Sequence, residues 1–188
     1  HFLFNTLNII MSFCRTDPPQ ARTLLSHLST IMQRSFANRN DFITIKDELE
    51  GIKAYLEIAQ SRFGPRLKVT ITLSEDLLTT EIPILSIQPL VENAVQHGLF
   101  PKLNDCELGI DVQSEGGDVV ITVSDNGVGI PAAKLTTIFT QSEGIGIKNV
   151  FCRLASIYGG KYGLSIHSQE GRGTNAVVRI PRERRVSS

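Results

Sequence analysis

The stretch VSDNGVGI, residues 123–130, runs from the end of an apolar segment straight into an acidic loop with two glycines. Asp125 can accept a hydrogen bond from an exocyclic amine, such as that of adenine. Gly127 and Gly129 let the backbone come close where side chains would block a flat ring. A glycine-rich turn after a strand carries the same residues, so the loop takes its meaning from its surroundings.

Outward from this loop, ELGIDVQ (107–113) and DVVITVS (118–124) read as two strands joined by the glycine-rich EGGD, which predicts an antiparallel hairpin. LKVTITL (67–73) alternates like a half-buried strand. YGLSIHS and TNAVVRI, joined by QEGRG, form a second strand pair. Helices are expected over about 84–97 and about 145–158. The class is α/β, a mixed sheet with helices on one face, that is an α/β sandwich.

Residues 1–63 read as helical. Leu3, Leu7, Ile10 and Cys14 share one face, and Phe2, Ile9 and Phe13 widen it, while His1, Asn5, Asn8 and Ser12 follow the same spacing on another. DPP at 17–19 breaks this helix and restarts a second, whose apolar residues are Leu24, Leu25, Leu28, Ile31 and Met32. A third helix begins after Thr44, with Asp47 at capping-box spacing and an inner face of Leu49, Ile52, Leu56 and Ala59. The texture changes near FGPR (63–66). Hence the expected division is 1–63 helical, 64–183 α/β, and 184–188 a polar tail.

Hydrophobic residues make up 41% of the 188, enough for a real core. Nineteen basic residues balance nineteen acidic ones, and no basic stripe is interleaved with aromatics, so direct nucleic-acid binding is not expected. PRERR (181–185) reads as a solvated tail. Cys14, Cys106 and Cys152 form neither a CxxC pair nor a disulfide ladder, which points to a reducing compartment. No apolar run in this stretch approaches a membrane span, and no signal peptide is expected within it. A first residue of histidine leads us to expect a piece of something longer.

Three further stretches carry chemistry. In IQPLVENAVQHG (87–98), Asn93 and His97 are four apart and share a helix face. Asparagine offers a neutral oxygen to Mg²⁺ already bound to phosphate, although surface or capping roles suit both residues too. In SEGIGIKNV (142–150), Gly144 and Gly146 precede an apolar helix whose free N–H groups can hold phosphate, as any helix start can. In EGRGTNAVVRI (170–180), Gly171 and Gly173 lead to Thr174 at a strand start, which a simple hairpin also explains.

The order of these pieces resembles the ATP-binding domain shared by sensor histidine kinases, gyrase-type ATPases and mismatch-repair ATPases, over about residues 84–181. HFLFNTLN at the start, followed by QPLVENAVQHG, looks like a sensor histidine kinase of the LytS/YehU type. That resemblance implies the following roles. His1 is the phosphoacceptor. Asn93 meets Mg²⁺ and the triphosphate, and Asp125 reads the adenine amine. Gly127 and Gly129 shape the adenine pocket, and Gly144 and Gly146 flank the phosphates beside a mobile lid. Thr174 supports Asp125, His97 reaches phosphate, and Lys134 and Lys148 are candidates to neutralise it. Phe139 matches the lid-flanking aromatic, and only Thr140 to Glu143 separate it from GIG, so the lid is short.

Two departures inform the reading. The hydrolases of this fold carry a glutamate four residues before the asparagine, where Pro89 stands here. Glu92 precedes Asn93 instead, as a candidate base or metal-positioning group. Phe2 stands where the commonest histidine-kinase class has an acidic neighbour of its histidine. The resemblance therefore implies ATP and Mg²⁺ as cofactors, phosphorylation of His1, and transfer to an aspartate of a response-regulator receiver paired with a LytTR DNA-binding domain. It also implies a homodimer through the helical segment and a cytoplasmic position below an upstream membrane region. An ATPase, a serine protein kinase, or a catalytically silent ATP-binding module are the alternatives.

Overall fold

Alternating apolar residues build one face of a sheet, and helices cover that face. The computed structural model of the chain describes residues 7, 10, 11, 13–19, 21, 22, 25, 28, 29, 42–139 and 145–183. Positions described between 7 and 29 are helical, apart from a break at Asp17. The elements then run β1 (Phe42–Thr44), α1 (Ile45–Phe63), β2 (Leu67–Leu73), β3 (Glu81–Pro83), α2 (Gln88–Asn93), β4 (Cys106–Glu115), β5 (Asp118–Asp125), α3 (Ala132–Leu135), α4 (Ile145–Tyr158), β6 (Gly163–Gln169) and β7 (Gly173–Pro181). A π-helical turn, Ala94–Leu99, prolongs α2.

The main sheet has the order β2-β4-β5-β7-β6. β2 and β4 are parallel and the other neighbours antiparallel, so the expected mixed sheet forms. The hairpin of β4 and β5 closes with Glu115 opposite Asp118 around Gly116 and Gly117, whose positive φ angles suit a primed two-residue turn. One face buries Leu108, Ile110, Ile121, Val123, Val178 and Ile180 under the helices. The other face exposes Lys68, Thr70, Gln113, Ser165, His167 and Asn175. At the hairpin end, the buried Asp118 accepts from Lys161 Nζ at 2.8 Å, Tyr162 Oη at 3.1 Å and Arg179 Nη1 at 3.2 Å.

Thr44 caps α1 as its spacing predicts. Its hydroxyl accepts from Asp47 N–H at 3.1 Å and donates to the Asp47 carboxylate at 2.6 Å. Such a cap is worth about 1 kcal/mol. Leu49, Ile52, Leu56 and Ala59 enter the same buried cluster as the sheet, while Ile58 packs with Ile10, Ala21 and Leu28. α1 thus touches two cores. Asp17 ends one helical stretch and opens the next, its N–H donating to Phe13 O and its C=O accepting from Ala21 N–H.

One expectation is adjusted, and two features are added. The helix foreseen from 84 begins at Gln88, because Leu85 takes φ +59°, which a helix cannot accommodate. The stripe of Leu7, Ile10 and Cys14 is not buried as one: Ile10 is buried, and Leu7 and Cys14 are exposed. Short β1 and β3 pair antiparallel beside the main sheet, which their length hides from any alternation pattern. His1, Phe2, Leu3, Asn5, Asn8, Ile9, Ser12, Leu24, Ile31, Met32, Gly144, the segment Thr140–Glu143 and the tail 184–188 lie outside the described residues.

Candidate functional site

Strand periodicity puts Asp125 and Thr174 on the helix-covered face, opposite one another across β5 and β7. Asn93 and His97, on α2 and its π-helical turn, face them. Between them lies a cavity of about 360 Å³, a size typical of small-ligand sites. Asn93, His97, Gly98, Asp125, Gly129, Lys134 and Thr174 line it, with apolar walls that include Leu90, Val123, Ile130, Ile138, Ile147 and Ile166.

Asp125 is held in place at Oδ1 by the Gly127 N–H at 2.8 Å. Burial pushes its carboxyl above the usual range, while the amides of Gly127 and Thr174 and the charge of Lys102 pull it back. Lys102 Nζ donates to Asn126 O at 2.9 Å and Asp105 O at 3.0 Å, which braces the loop. Gly127 does not line the cavity. A side chain there would meet the Gly98 carbonyl at 2.3 Å, and one at Gly129, φ +68°, would meet Gln169 O at 2.1 Å. The nearest crowding atoms at both glycines belong to the protein's own backbone, with Asp125 Oδ1 at 2.6 Å also meeting a side chain at Gly127, so the loop's packing already requires glycine.

The Thr174 hydroxyl lies 2.9 Å from Ser168 Oγ. Ser168 in turn donates to Gly173 O at 2.8 Å and accepts from Ile130 N–H at 2.9 Å. Asn126 accepts from Glu107 N–H at 2.9 Å and donates to Asp105 O at 2.8 Å. Sequence reasoning passed over both residues. The alternation of YGLSIHS puts Ser168 on the same face as Ile166, and that signal could have found it.

On the helix side, Asn93 Nδ2 donates to Pro89 O at 2.6 Å. A carbonyl only accepts, so Oδ1 is the end of this amide suited to a cation. Gly146 places the first turn of α4 against Asn93: a Cβ there would lie 3.5 Å from Nδ2. Lys134 lines the cavity and Lys148 does not. Phe139 stacks on Phe151 of α4 at 4.3 Å.

Glu92 is not among the lining residues. Its carboxylate accepts from Gln88 Nε2 at 2.9 Å, and burial pushes it above the usual range. A second buried carboxylate, Glu48 of α1, accepts from the backbone of Leu85, Ile87 and Gln88 at 3.1, 2.8 and 3.1 Å. Burial raises it as well, against the pull of those amides. Nothing in its sequence neighbourhood marks it out from other acidic helix residues.

The family described as histidine kinase matches residues 1–67, and that described as histidine kinase-, DNA gyrase B- and HSP90-like ATPase matches 83–184. The chain is 34% identical over 181 residues to the sensor histidine kinase BtsS of Escherichia coli, covering 96% of this chain and 31% of that protein. It is 36% identical over 189 residues to the sensor protein LytS of Bacillus subtilis, covering 96% and 32%. The chain thus spans about a third of the length of the curated relatives it matches. Among solved structures, the histidine kinase domain of the Erythrobacter litoralis EL346 blue-light activated kinase shares the fold, with a TM-score of 0.59 at 18% identity, over 86% of this chain and 72% of that one. The chain belongs to the sensor histidine kinases with this ATPase-type domain, and is closely related to the LytS/YehU/BtsS group of two-component sensors.

Proposed function

We propose that the chain binds Mg-ATP in this cavity, takes the γ-phosphoryl group onto His1 and passes it to an aspartate of a response-regulator receiver. The observation that carries the reading is the convergence of Asp125, Thr174 and Asn93, from a strand end, a strand start and a helix, on one cavity of about 360 Å³. Apolar walls suit a flat ring, and the Asp125 carboxylate suits its exocyclic amine. Asn93 supplies a neutral oxygen. Among the described residues no three His, Cys, Asp or Glu side chains converge to hold a metal, which fits an ion that arrives on phosphate oxygens and keeps water. Mg²⁺ bound there neutralises phosphate charge.

In the proposed reaction a neutral ring nitrogen of His1 attacks the γ-phosphorus. The bond to the bridging oxygen breaks, ADP leaves, and phosphohistidine forms. The aspartate carboxylate then displaces the histidine nitrogen. Among the described lining residues Asp125 is the sole carboxylate, and Pro89 stands where the hydrolases carry their glutamate. Transfer to a side chain therefore fits this site better than activation of water. Glu92, held by Gln88 outside the lining, is assigned at most an indirect influence on Asn93. Gly144 and Gly146 are assigned to the phosphate border, with His97 and Lys134 facing phosphate.

Residues 1–63 are assigned the acceptor and a homodimer surface, residues 64–183 the nucleotide, and α1 belongs to both cores. Leu7, Met11 and Leu25 are exposed beside the buried Ile10, Ala21 and Leu28, which supports a second apolar partner for these helices. No helix among the described residues is long and apolar enough to cross a membrane. By likeness to LytS we assign this portion to the cytoplasmic side of a membrane sensor, with a LytTR-type regulator as partner.

The test is labelling of the full-length protein with γ-labelled ATP and Mg²⁺. Acid-labile label, lost in His1→Ala while nucleotide binding persists, is the expected result. Label that survives in His1→Ala removes His1 from the mechanism.

A further inference from the structure

The first N–H groups of a helix need acceptors from outside its own ladder. α2 finds them in another element. Ile87 stands at its N-cap without a side-chain cap, and Glu48 supplies the oxygens, Oε1 to Ile87 and Gln88, Oε2 to Leu85. Glu48 is only 2% exposed, and a carboxyl so buried needs such hydrogen bonds to be tolerated. The turn it holds includes Leu85 at φ +59°, a conformation leucine keeps only where its surroundings impose it. From the other side, Arg153 of α4 donates to Ile84 O. Glu48 belongs to the helix whose Ile58 packs with the N-terminal helical positions.

We propose that Glu48 is a positioning residue for the metal-bound phosphates: by fixing the first turn of α2 it sets how Asn93 meets the cavity, so that Mg²⁺-dependent nucleotide binding follows the placement of α1. This rests on the reading of the cavity as a Mg-ATP site. A role confined to stability predicts something different, namely loss of folded protein with unchanged binding by what remains folded.

The experiment is calorimetry of ATP binding to the full-length protein, with Mg²⁺ and with EDTA, at a temperature where every variant is folded. Glu48→Gln is compared with Ile52→Val, a fully buried residue one turn on in the same helix. Glu48→Gln should cut the enhancement by Mg²⁺ about ten-fold and leave affinity in EDTA within about two-fold. Ile52→Val should lower the melting temperature and leave the enhancement alone. Equal losses with and without Mg²⁺, or the same pattern in Ile52→Val, overturn the proposal. Should Glu48→Gln not fold, amide exchange of the wild type decides: Ile87 and Gln88 should gain protection with Mg-ADP over ADP in EDTA, and unchanged protection overturns it. A wild type that binds no nucleotide refutes the Mg-ATP site and this inference together. A wild type enhanced by Mg²⁺ and matched by Glu48→Gln refutes this inference alone.

Discussion

On the strand side of the cavity, Asp125 and Thr174 are locked by contacts made at the cavity itself: the Gly127 amide, the Ser168 hydroxyl, and backbone packed so closely that Gly127, Gly129 and Gly173 have no room for a side chain. On the helix side, Asn93 is tied to Pro89 within its own short helix, and that helix is capped from α1, well outside the cavity. The strand wall is built to one fixed shape, which the proposed reading assigns to a rigid ring. The helix wall depends on a distant element, and the same proposal assigns it the phosphate and metal end.

The strongest way to break this contrast is at Gly173. A Cβ there would stand 1.9 Å from Asp125 O, at φ +105°. Gly173→Ala should cost about 3 kcal/mol or more in urea unfolding and abolish nucleotide binding. A variant as stable as the wild type would show that the strand wall is not rigid.

Next comes Asp125→Asn, which should weaken ATP about 100-fold by calorimetry, since it removes a charged acceptor and presents a donor to a donor. Its stability should move the other way. A buried carboxyl raised above its ordinary 3.8 stabilises the fold fully below that pH, and this contribution is lost as pH rises through the folded value. The asparagine variant should therefore be at least as stable as wild type at neutral pH. Thermal melts across pH check it.

Asn93→Ala sharpens the other wall. It should lose about ten-fold of Mg²⁺-dependent affinity and keep its affinity in EDTA, read by titrating ATP at several Mg²⁺ concentrations. The smallest effect is expected at Ser168→Ala, which removes the acceptor of the Ile130 N–H and should cost about 1 kcal/mol. Chemical denaturation measures it.

What the sequence shows of these walls follows the range of the contacts. Thr44 and Asp47 are three residues apart, and the turn EGGD sits between its own strands, so both are legible from neighbours alone. Strand alternation likewise brings Asp125 and Thr174 to one face once β5 and β7 are paired. Glu48 is different: its partners lie 37, 39 and 40 positions away, and only the folded chain brings them together. The helical period groups Leu7, Ile10 and Cys14, yet it cannot say what covers them, and within this chain only Ile10 of the three is covered. The glycines of DNGVG are legible as a close approach, while the identity of the approaching atoms, Gly98 O and Gln169 O, is not. The role proposed for His1 rests on family resemblance alone.

The most direct test of the nucleotide site is binding of ATP against inosine triphosphate, which differs by a carbonyl in place of the exocyclic amine. With Mg²⁺ present, the wild type should bind ATP at least about ten-fold more tightly, and Asp125→Asn should erase that preference. Equal binding of the two nucleotides by the wild type would contradict the assignment of Asp125 and of the strand wall as the part that reads the base.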